Sequence, residues 1–336
     1  MKQTMNRISS RKLFALILCA ALALASQAAF AADVPTVGII QFAPHPSLDN
    51  CTAGFLLGLE EGGYVEGETV RIDFQNAMGD MATSDMQAKN MAAQGVALLT
   101  GVATPAAMSA YAATKEAGTP NVFVAVSDAV AAGIVLTNEA PGTNATGVSD
   151  VLNLEKQLEL IRAFLPDAKT IGILYTTSEP NSITHLNQLR ELAPSFGFEV
   201  DALGVSGPSE VAAAAAVLAP RVDLINNFVD NNVVDNLSQV LRAADEAGIP
   251  VFGSEVEQVV NGCLATQGID YIEVGRAAGL IAADILRGNA SPETTPVLLV
   301  NDVTPAYNSQ VAERLGLVLP DAYADALDVT AESSAE

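Results

Sequence analysis

The chain carries the same helix-to-strand junction twice, as AGTPNVFVAV at residues 117–126 and as AGIPVF at residues 247–252. In both copies a glycine follows a helical stretch, where it can adopt the left-handed conformation that ends a helix. A proline then precedes an apolar, β-branched run of the kind that forms strands. The repeated junction therefore predicts two similar α/β units in one chain.

Around each junction, short apolar runs alternate with longer helical stretches. In the first half we predict strands at 36–42, 70–76, 97–100 and 121–126, and helices at 48–60, 84–93 and 106–117. In the second half we predict strands at 170–175, 199–205, 224–228, 251–252 and 264–266, and helices at 154–164, 183–193, 209–219 and 233–247. Such alternation is typical of a parallel sheet with helices on both faces. The prediction is an α/β fold of two doubly wound parallel-sheet lobes.

The order of the elements predicts three crossings between the lobes, near Ser149-Asp150, at Gly268-Ile269-Asp270 and at Asn301-Asp302. A helix at 271–286 and a strand at 297–300 return to the first lobe, and residues 306–315 return to the second. Lobe 1 is then 32–149 plus 271–301, and lobe 2 is 150–270 plus 302–321. Several crossing segments make a multi-strand hinge, because a few backbone torsions can swing one lobe against the other. The acidic tail at 322–336 lacks strand and turn signals and is predicted to be partly disordered.

The N-terminal segment, residues 1–31, has the features of a cleavable signal peptide. Four basic residues precede an apolar run at 13–25, and Ala29-Phe30-Ala31 supplies a small-residue cleavage site. The apolar run is shorter than the roughly 20 residues that a membrane-spanning helix needs, which favours cleavage over anchoring. Cys19 lacks the preceding small residues of a lipoprotein signal. We therefore predict cleavage after Ala31 and a protein that works in the periplasm.

The net charge excludes one class of function. It is −23 for the whole chain and −27 after cleavage, because the signal segment holds four basic residues and no acidic one. Nucleic acids and anionic lipids are bound by clustered Lys and Arg, and no such cluster survives cleavage. The excess of acidic residues is therefore interpreted as forming a solvated surface, and nucleic-acid binding is not expected.

Most enzyme motifs are missing from the sequence. It contains no Walker A loop, no Gly-x-Gly-x-x-Gly after a strand, no His-Glu-x-x-His, no Cys-x-x-Cys and no Gly-x-Ser-x-Gly. Its two histidines leave little material for a metal site or a histidine-based triad, so no metal and no cofactor are predicted. One enzymatic alternative stays open, because Glu179, Asp230 and Glu255 could converge as a carboxylate pair of the kind that hydrolyses glycosides.

The mature chain has two cysteines, Cys51 and Cys263. An even count in an oxidising compartment permits a disulfide. Cys51 falls in the first turn of a helix at the cleft, whereas Cys263 begins a strand whose far end points to the cleft. Their α-carbons should therefore lie beyond the roughly 7 Å limit for a bridge, and two free, buried thiols are predicted.

In open parallel sheets, ligands bind beyond the carboxyl ends of the strands, where helix N-termini offer free N–H groups. Thr104 lies at such a position, where it could bind a ligand or could serve only as a helix cap. Asp230 and Glu255 directly follow buried strands, where a carboxylate could pair with a ligand ammonium. His45 and Pro46 are interpreted as shaping the loop before the first helix. The predicted ligand-binding residues are Gln41, Phe42, Thr104, Ser127, Asp128, Tyr175, Ser178, Glu179, Asn181, Ser182, Asp230, Asn231, Ser254 and Glu255.

Several stretches, spread over nearly the whole mature chain, resemble the substrate-binding proteins of ABC importers with the type I periplasmic binding fold, in particular the tryptophan/tyrosine-binding-like branch. They are His45–Asp49, GFLLGLEEGGYVEG at 54–67, NATGVSD at 144–150, IGILYTTSEPNS at 171–182, 231–240, GIPVFGS at 248–254 and GIDYIEVGRAAG at 268–279. One departure is Glu255, where the family pattern leads us to expect the shorter Asp.

The resemblance implies a monomer that encloses a small ligand, often an aromatic amino acid, by hinge closure and presents it to an ABC permease in the inner membrane. The side chains best placed to stack on a ring are Phe42, Tyr175 and Phe228, since the chain has no Trp. A sensory receptor of the same fold, serving chemotaxis or a kinase, is the alternative function. The carboxylate-pair enzyme is the least favoured of the three.

Overall fold

The computed structural model of the protein describes residues 34–332. The predicted signal peptide with its cleavage site and Cys19 lies outside the described residues, as does the end of the predicted tail at 333–336. Within the described part, no helix is long and apolar enough to cross a membrane.

The first lobe is built on a six-stranded sheet of β1 (Thr36–Gln41), β2 (Arg71–Asn76), β3 (Leu98–Val102), β4 (Asn121–Val124), β5 (Ala145–Asp150) and β11 (Leu298–Val300). The order is β11-β5-β4-β3-β1-β2, and every neighbouring pair is parallel. Its helices are α1 (Pro46–Glu61), α2 (Met81–Ala93), α3 (Thr104–Thr114) and α10 (Tyr271–Leu286). Strand β11 thus returns to this sheet from late in the chain, as the sequence predicts.

The second lobe is built on a four-stranded parallel sheet of β6 (Thr170–Thr176), β7 (Glu199–Val205), β8 (Leu224–Asn226) and β9 (Val251–Phe252), in the order β7-β6-β8-β9. Its helices are α4 (Leu154–Phe164), α5 (Pro180–Leu192), α6 (Val211–Leu218), α7 (Asn231–Asp235) and α8 (Leu237–Ala247). Two lobes with parallel sheets and covering helices confirm the predicted α/β fold class.

A third, three-stranded sheet lies where the chain passes between the lobes. It has the order β10-β12-β13, with β10 (Ala265–Gly268) antiparallel to β12 (Thr304–Tyr307) and β12 parallel to β13 (Leu327–Asp328). Short helices α9 (Val256–Val260), α11 (Ser309–Leu315) and α12 (Val329–Glu332) flank it. The Gly253 N–H donates to the Ala265 carbonyl at 3.0 Å, so this sheet continues from strand β9 of the second lobe.

Both junctions quoted at the outset behave as predicted, with one difference. Gly118 and Gly248 adopt φ values of 69° and 71°, and strands β4 and β9 begin within three residues of them. Gly248 directly caps α8, whereas α3 already ends at Thr114 and a turn separates it from Gly118, whose N–H donates to the Thr114 carbonyl.

Four local features differ from the sequence prediction. Strand β5 was not predicted, because ATGVSD is rich in residues that favour turns, yet it is buried along its whole length between β4 and β11. Strand β12 (Thr304–Tyr307) was also not predicted. The predicted helix at 233–247 is broken at Asn236, which has φ −109° and divides α7 from α8. Strand β13 lies in the tail for which the sequence shows no strand signal, and it forms by pairing with β12.

Helices α1 and α10 pack backbone against backbone in the first lobe. A Cβ atom added at Gly54 or Gly58 of α1 would meet a carbonyl oxygen of α10 at 2.1 Å. A Cβ atom added at Gly275 or Gly279 of α10 would meet a carbonyl oxygen of α1 at 2.1 or 2.2 Å. Because no side chain fits between them, the four glycines fix how closely the returning helix α10 approaches α1.

Both cysteines are free and buried, as predicted. Cys51 lies in α1 and Cys263 directly precedes β10. Burial raises the pKa of each thiol well above its usual range, which keeps both uncharged. The two cysteines are therefore packing residues of two different parts of the core.

The contact between α1 and α10 makes a testable prediction about stability. The substitution Gly279→Ala should lower the free energy of unfolding by about 1–3 kcal/mol, because the new methyl group forces the helices apart. Thermal and urea unfolding would measure the loss. Gly207→Ala is the matched control, since Gly207 has φ 175° and no atom within 4 Å of an added Cβ. Equal stability of the two variants would contradict the backbone-to-backbone packing.

Candidate functional site

A narrow cavity of about 20 Å³ lies between the two lobes. Lobe 1 and the start of α10 contribute nine of its lining residues: His45, Ser47, Leu48, Ala103, Thr104, Ala125, Ser127, Asp150 and Tyr271. The second lobe contributes Asn181, Val229 and Asn231, and Glu255 comes from the segment between β9 and α9. The cavity thus lies at the carboxyl ends of strands from both sheets.

Two strained residues shape the wall on the side of lobe 1. Ala103 follows β3 with φ 76° and ψ 155°, a region that is essentially confined to glycine, and Ala125 follows β4 with φ 55°. These turns carry Thr104 and Ser127 to the cavity, where the Ser127 N–H donates to the Thr104 hydroxyl at 3.4 Å. Helix α3 begins at Thr104, so its positive N-terminal end also borders the cavity.

Asp150 ends strand β5 and is the carboxylate of the site that lies nearest the crossings. Its Oδ2 accepts a hydrogen bond of 2.8 Å from the Tyr271 hydroxyl, and its Oδ1 accepts a longer one of 3.4 Å from Ser127. Burial raises the pKa of Asp150 to about 6, against the opposing effect of the Tyr271 hydrogen bond. Asp150 and Tyr271 lie at or beside two of the predicted chain crossings, and both line the cavity between the lobes.

Glu255 approaches the same cavity from the other side. Its Oε1 accepts from the Ser47 hydroxyl at 2.5 Å and from the Gln258 amide at 3.0 Å. Burial raises the pKa of Glu255 to about 8, and the nearby charges of Glu257 and Asp150 raise it further. Burial thus favours the protonated form of this carboxyl group near neutral pH.

Three hydrogen bonds join the start of α1 to the opposite wall of the cleft. Besides the contact from Ser47 to Glu255, the Asn50 amide donates to Glu257 at 2.6 Å, and His45 Nε2 lies 3.3 Å from Asn231 Oδ1. The first turn of one helix thus makes side-chain contacts with α7 and with the start of α9.

Two further acids, Glu179 and Asp230, are buried behind the cavity and do not line it. Asp230 accepts four hydrogen bonds, from the N–H and hydroxyl of Thr176, the hydroxyl of Ser182 and the N–H of Val233. These bonds use its roughly four lone-pair positions, so no acceptor remains for a ligand ammonium. Glu179 accepts from the side-chain amides of Asn181, Asn231 and Asn232, and burial raises its pKa. Glu179 thereby orients two residues that do line the cavity.

The structure brings five of the residues predicted from sequence to the cavity: Thr104, Ser127, Asn181, Asn231 and Glu255. Nine others lie outside its lining: Gln41, Phe42, Asp128, Tyr175, Ser178, Glu179, Ser182, Asp230 and Ser254. Several of them bond within their own lobes. Gln41 bonds to Asp49 and Thr52, Asp128 accepts from the Ala131 N–H, and the Ser254 hydroxyl donates to the Asn227 carbonyl.

Sequence reasoning missed three of the most prominent lining residues. His45 was interpreted as a loop-shaping residue, and Asp150 was used to mark a crossing without being assigned to the site. Tyr271 was placed at the start of a helix and given no role. The signal that could have found Asp150 and Tyr271 is their position at the crossings, because the segments that join two lobes also border the cleft between them.

The charged side chains that line the cavity are all acidic. None of its lining residues is Lys or Arg, while two of them are acids. Across residues 34–332 there is no group of three or more His, Cys, Asp or Glu side chains that could hold a metal ion. The cavity therefore offers carboxylates to a cationic group of an organic ligand and offers a helix N-terminus to an anionic group.

Residues 36–330 match the family model of the ABC transporter substrate-binding proteins. A tyrosine-binding protein of Clostridioides difficile (strain R20291) is 37% identical over 281 residues, which cover 84% of this chain and 81% of the relative. This confirms the resemblance that the sequence motifs indicate.

Two solved structures are similar in sequence and in fold. A domain from Streptococcus pneumonia in complex with L-Trp is 34% identical and has a TM-score of 0.84, with 87% of this chain and 98% of that chain covered. The ligand-free, open structure of a substrate-binding protein with adhesive properties from Clostridium difficile is 38% identical and has a TM-score of 0.66, with 88% and 98% covered. The chain belongs to the ABC transporter substrate-binding proteins, a family of binding proteins and not of enzymes.

Proposed function

We propose that the protein captures an α-amino acid of the tyrosine or tryptophan type in the cavity between its lobes and presents it to an ABC permease. The observation that carries this proposal is the pair of buried carboxylates, Asp150 and Glu255, that reach one cavity from opposite walls. With no Lys or Arg among the lining residues, their natural partner is the ammonium group of a ligand.

The cavity also offers a binding position for the negatively charged carboxylate of an amino acid. The ligand carboxylate would lie at the N-terminus of α3, where backbone N–H groups and the hydroxyls of Thr104 and Ser127 are available. Ammonium and carboxylate groups are close together in an α-amino acid, and the Ser127 hydroxyl contacts Asp150. The two subsites are therefore adjacent, as an amino-acid head group requires.

The side chain of the ligand would lie against the apolar lining residues, and the walls of the narrow cavity would move apart to admit it. Leu48, Val229 and the ring of Tyr271 supply apolar surface there. An aromatic side chain agrees with the two close relatives, one of which is named as a tyrosine-binding protein and the other of which holds L-Trp.

Closure of the lobes around the ligand is the second part of the proposal. The protein is more similar to the L-Trp complex than to the ligand-free, open structure, although its sequence is slightly closer to the latter. The hydrogen bonds from His45, Ser47 and Asn50 across the cleft support a closed arrangement. The hinge would lie at the three chain crossings beside the β10-β12-β13 sheet.

We further propose that the mature protein is a periplasmic monomer released by cleavage after Ala31. Membership in this family agrees with a role outside the cytoplasm. Amino-terminal sequencing of the exported protein would test the cleavage position, and light scattering would test the monomer.

The binding proposal predicts a measurable affinity for aromatic amino acids. Because the chain has no Trp, the fluorescence of added L-Trp reports binding without a protein tryptophan background. Titration should show saturable binding, and Asp150→Asn or Glu255→Gln should each weaken it at least about tenfold, since each removes a charge-assisted contact with the ammonium. Asp245→Asn is a matched control, because Asp245 is half-exposed and pairs with Arg314 at the surface.

Two results would contradict this prediction. Absence of binding for all aromatic amino acids, measured also by calorimetry, would overturn the proposed ligand class. Unchanged affinity in both the Asp150 and the Glu255 variants would overturn the ammonium subsite even if the ligand class is right. Recovery of chemically unaltered ligand after incubation would count against the carboxylate-pair enzyme.

Closure without ligand should depend on pH. In an open, solvated cleft, the pKa of Glu255 would be near its ordinary value of about 4.3, whereas burial raises it to about 8 in the closed form. The closed form then binds more protons, so lowering the pH from about 9 to about 7 should increase the ratio of closed to open protein about tenfold. The radius of gyration from X-ray scattering would decrease accordingly.

The choice of this pH window keeps other groups from opposing the effect. Asp150, with a raised pKa of about 6, and His45, with a pKa lowered to about 4, titrate mainly at more acidic pH. The substitution Glu255→Gln should weaken the pH dependence in this window and favour the closed form at pH 9. A ligand-free protein whose radius of gyration is the same at both pH values would contradict the prediction.

A further inference from the structure

One wall of the cavity presents a buried hydrogen-bond acceptor without a partner. Asn181 is only 4% exposed. Within the described residues, its Oδ1 atom is buried and yet accepts no hydrogen bond. Buried polar atoms are almost always paired, so an unpaired one that borders a ligand cavity needs an explanation. The simplest explanation is that a group of the ligand donates to it.

The orientation of the Asn181 amide is fixed by its nitrogen. Asn181 Nδ2 donates to the Val229 carbonyl at 3.0 Å and to Glu179 Oε2 at 3.2 Å. If the amide were turned over, its oxygen would face a carbonyl oxygen and a carboxyl oxygen, which are both acceptors. Asn181 therefore presents its oxygen, and not its nitrogen, away from these two groups.

A second chain of hydrogen bonds shows that the cavity is generally short of donors. Glu179 accepts from the Asn231 amide nitrogen at 2.6 Å, so Asn231 Oδ1 is left to face His45 Nε2. Nε2 must then carry the proton, and burial, which lowers the pKa of His45 to about 4, keeps the ring neutral. His45 Nδ1 is consequently an acceptor, and it too has no partner.

The two unpaired acceptors differ in their surroundings. His45 also borders a groove beside the cavity, which Asp235 and Glu257 line, whereas Asn181 borders the closed cavity and not that groove. The ligand ammonium already has the carboxylates of Asp150 and Glu255. Asn181 Oδ1 is therefore an acceptor that the head group of the ligand does not need.

We propose that Asn181 is a specificity-determining residue that selects ligands whose side chain carries an N–H or O–H donor. This inference rests on the proposed function and narrows its ligand class. The indole N–H of tryptophan and the phenol O–H of tyrosine satisfy the Asn181 oxygen, whereas phenylalanine leaves it buried and unpaired. A site built around a buried polar group discriminates strongly against an analogue that lacks the matching donor.

The first test uses ligands and the unaltered full-length mature protein. Dissociation constants are measured by calorimetry for L-Trp, L-Tyr and L-Phe, and for 1-methyl-L-Trp and 5-methyl-L-Trp. The two methylated compounds have the same size, but the first lacks the indole N–H. We expect L-Phe to bind at least about tenfold more weakly than L-Tyr, and 1-methyl-L-Trp at least about tenfold more weakly than 5-methyl-L-Trp.

The second test uses the near-isosteric substitution Asn181→Leu, which removes the acceptor. The ratio of the L-Phe and L-Tyr dissociation constants should fall to about threefold or less. Val229→Ala is the matched control in the same wall, because it changes the shape of the cavity and should alter all affinities without removing that preference. Thermal unfolding of each variant verifies that it folds, and the methylated pair remains decisive if Asn181→Leu does not.

The outcomes separate this inference from the function on which it rests. Tight binding of L-Phe together with equal binding of the two methylated tryptophans would overturn the role of Asn181 and leave the aromatic ligand class intact. An unchanged L-Phe to L-Tyr ratio in a folded Asn181→Leu protein would also overturn it. Absence of binding for every compound would overturn the proposed function, and the inference with it.

Discussion

Burial of two carboxylates in one cavity, with no Lys or Arg among its lining residues, is the constraint on which the arrangement of the cleft depends. Asp150 and Glu255 reach the cavity from opposite walls, and both are almost completely buried. Removing a charge from water is costly unless a partner compensates it. Burial therefore favours a proton on Glu255, whose pKa it raises to about 8, and in the proposed function a ligand ammonium would lie beside both carboxylates. In the proposed function, binding of the ligand and closure of the lobes would therefore be coupled.

The four buried acids around the cleft divide into two groups by the number of donors that surround them. Asp230 and Glu179 are surrounded by hydroxyl, amide and backbone N–H donors from their own lobe. Asp150 and Glu255 have fewer donors, and these come partly from other segments of the chain. The first pair consequently organises the wall of the second lobe, including Asn181 and Asn231. The second pair retains the capacity to bind a ligand.

The sequence predicts those features of the protein that depend on local patterns, and it misses those that depend on contacts between distant residues. The alternation of strands and helices and the repeated Gly-x-Pro junction are local patterns, and they were sufficient for the fold class. The sequence does not predict strands β5, β12 and β13, because these strands form by pairing with distant neighbours and not through a high strand propensity of their residues. For the site, the strand-end rule predicts Thr104, Ser127 and Glu255, which line the cavity. It cannot separate Asp230 from Asp150, since both follow strands and only their surrounding donors differ.

Helices α1 and α10 connect the packing of the fold to its site. Helix α1 begins with the residues that make all three hydrogen bonds across the cleft, and α10 begins with Tyr271, which donates to Asp150. Their glycines bring the two backbones into direct contact, so neither helix can shift along the other without a steric clash. The start of α10, which contacts Asp150, and the start of α1, which contacts the opposite wall, thus belong to one tightly packed unit. If the lobes rotate at the crossings as we propose, this unit would move as a whole, and a small rotation would form or break the contacts around both carboxylates together.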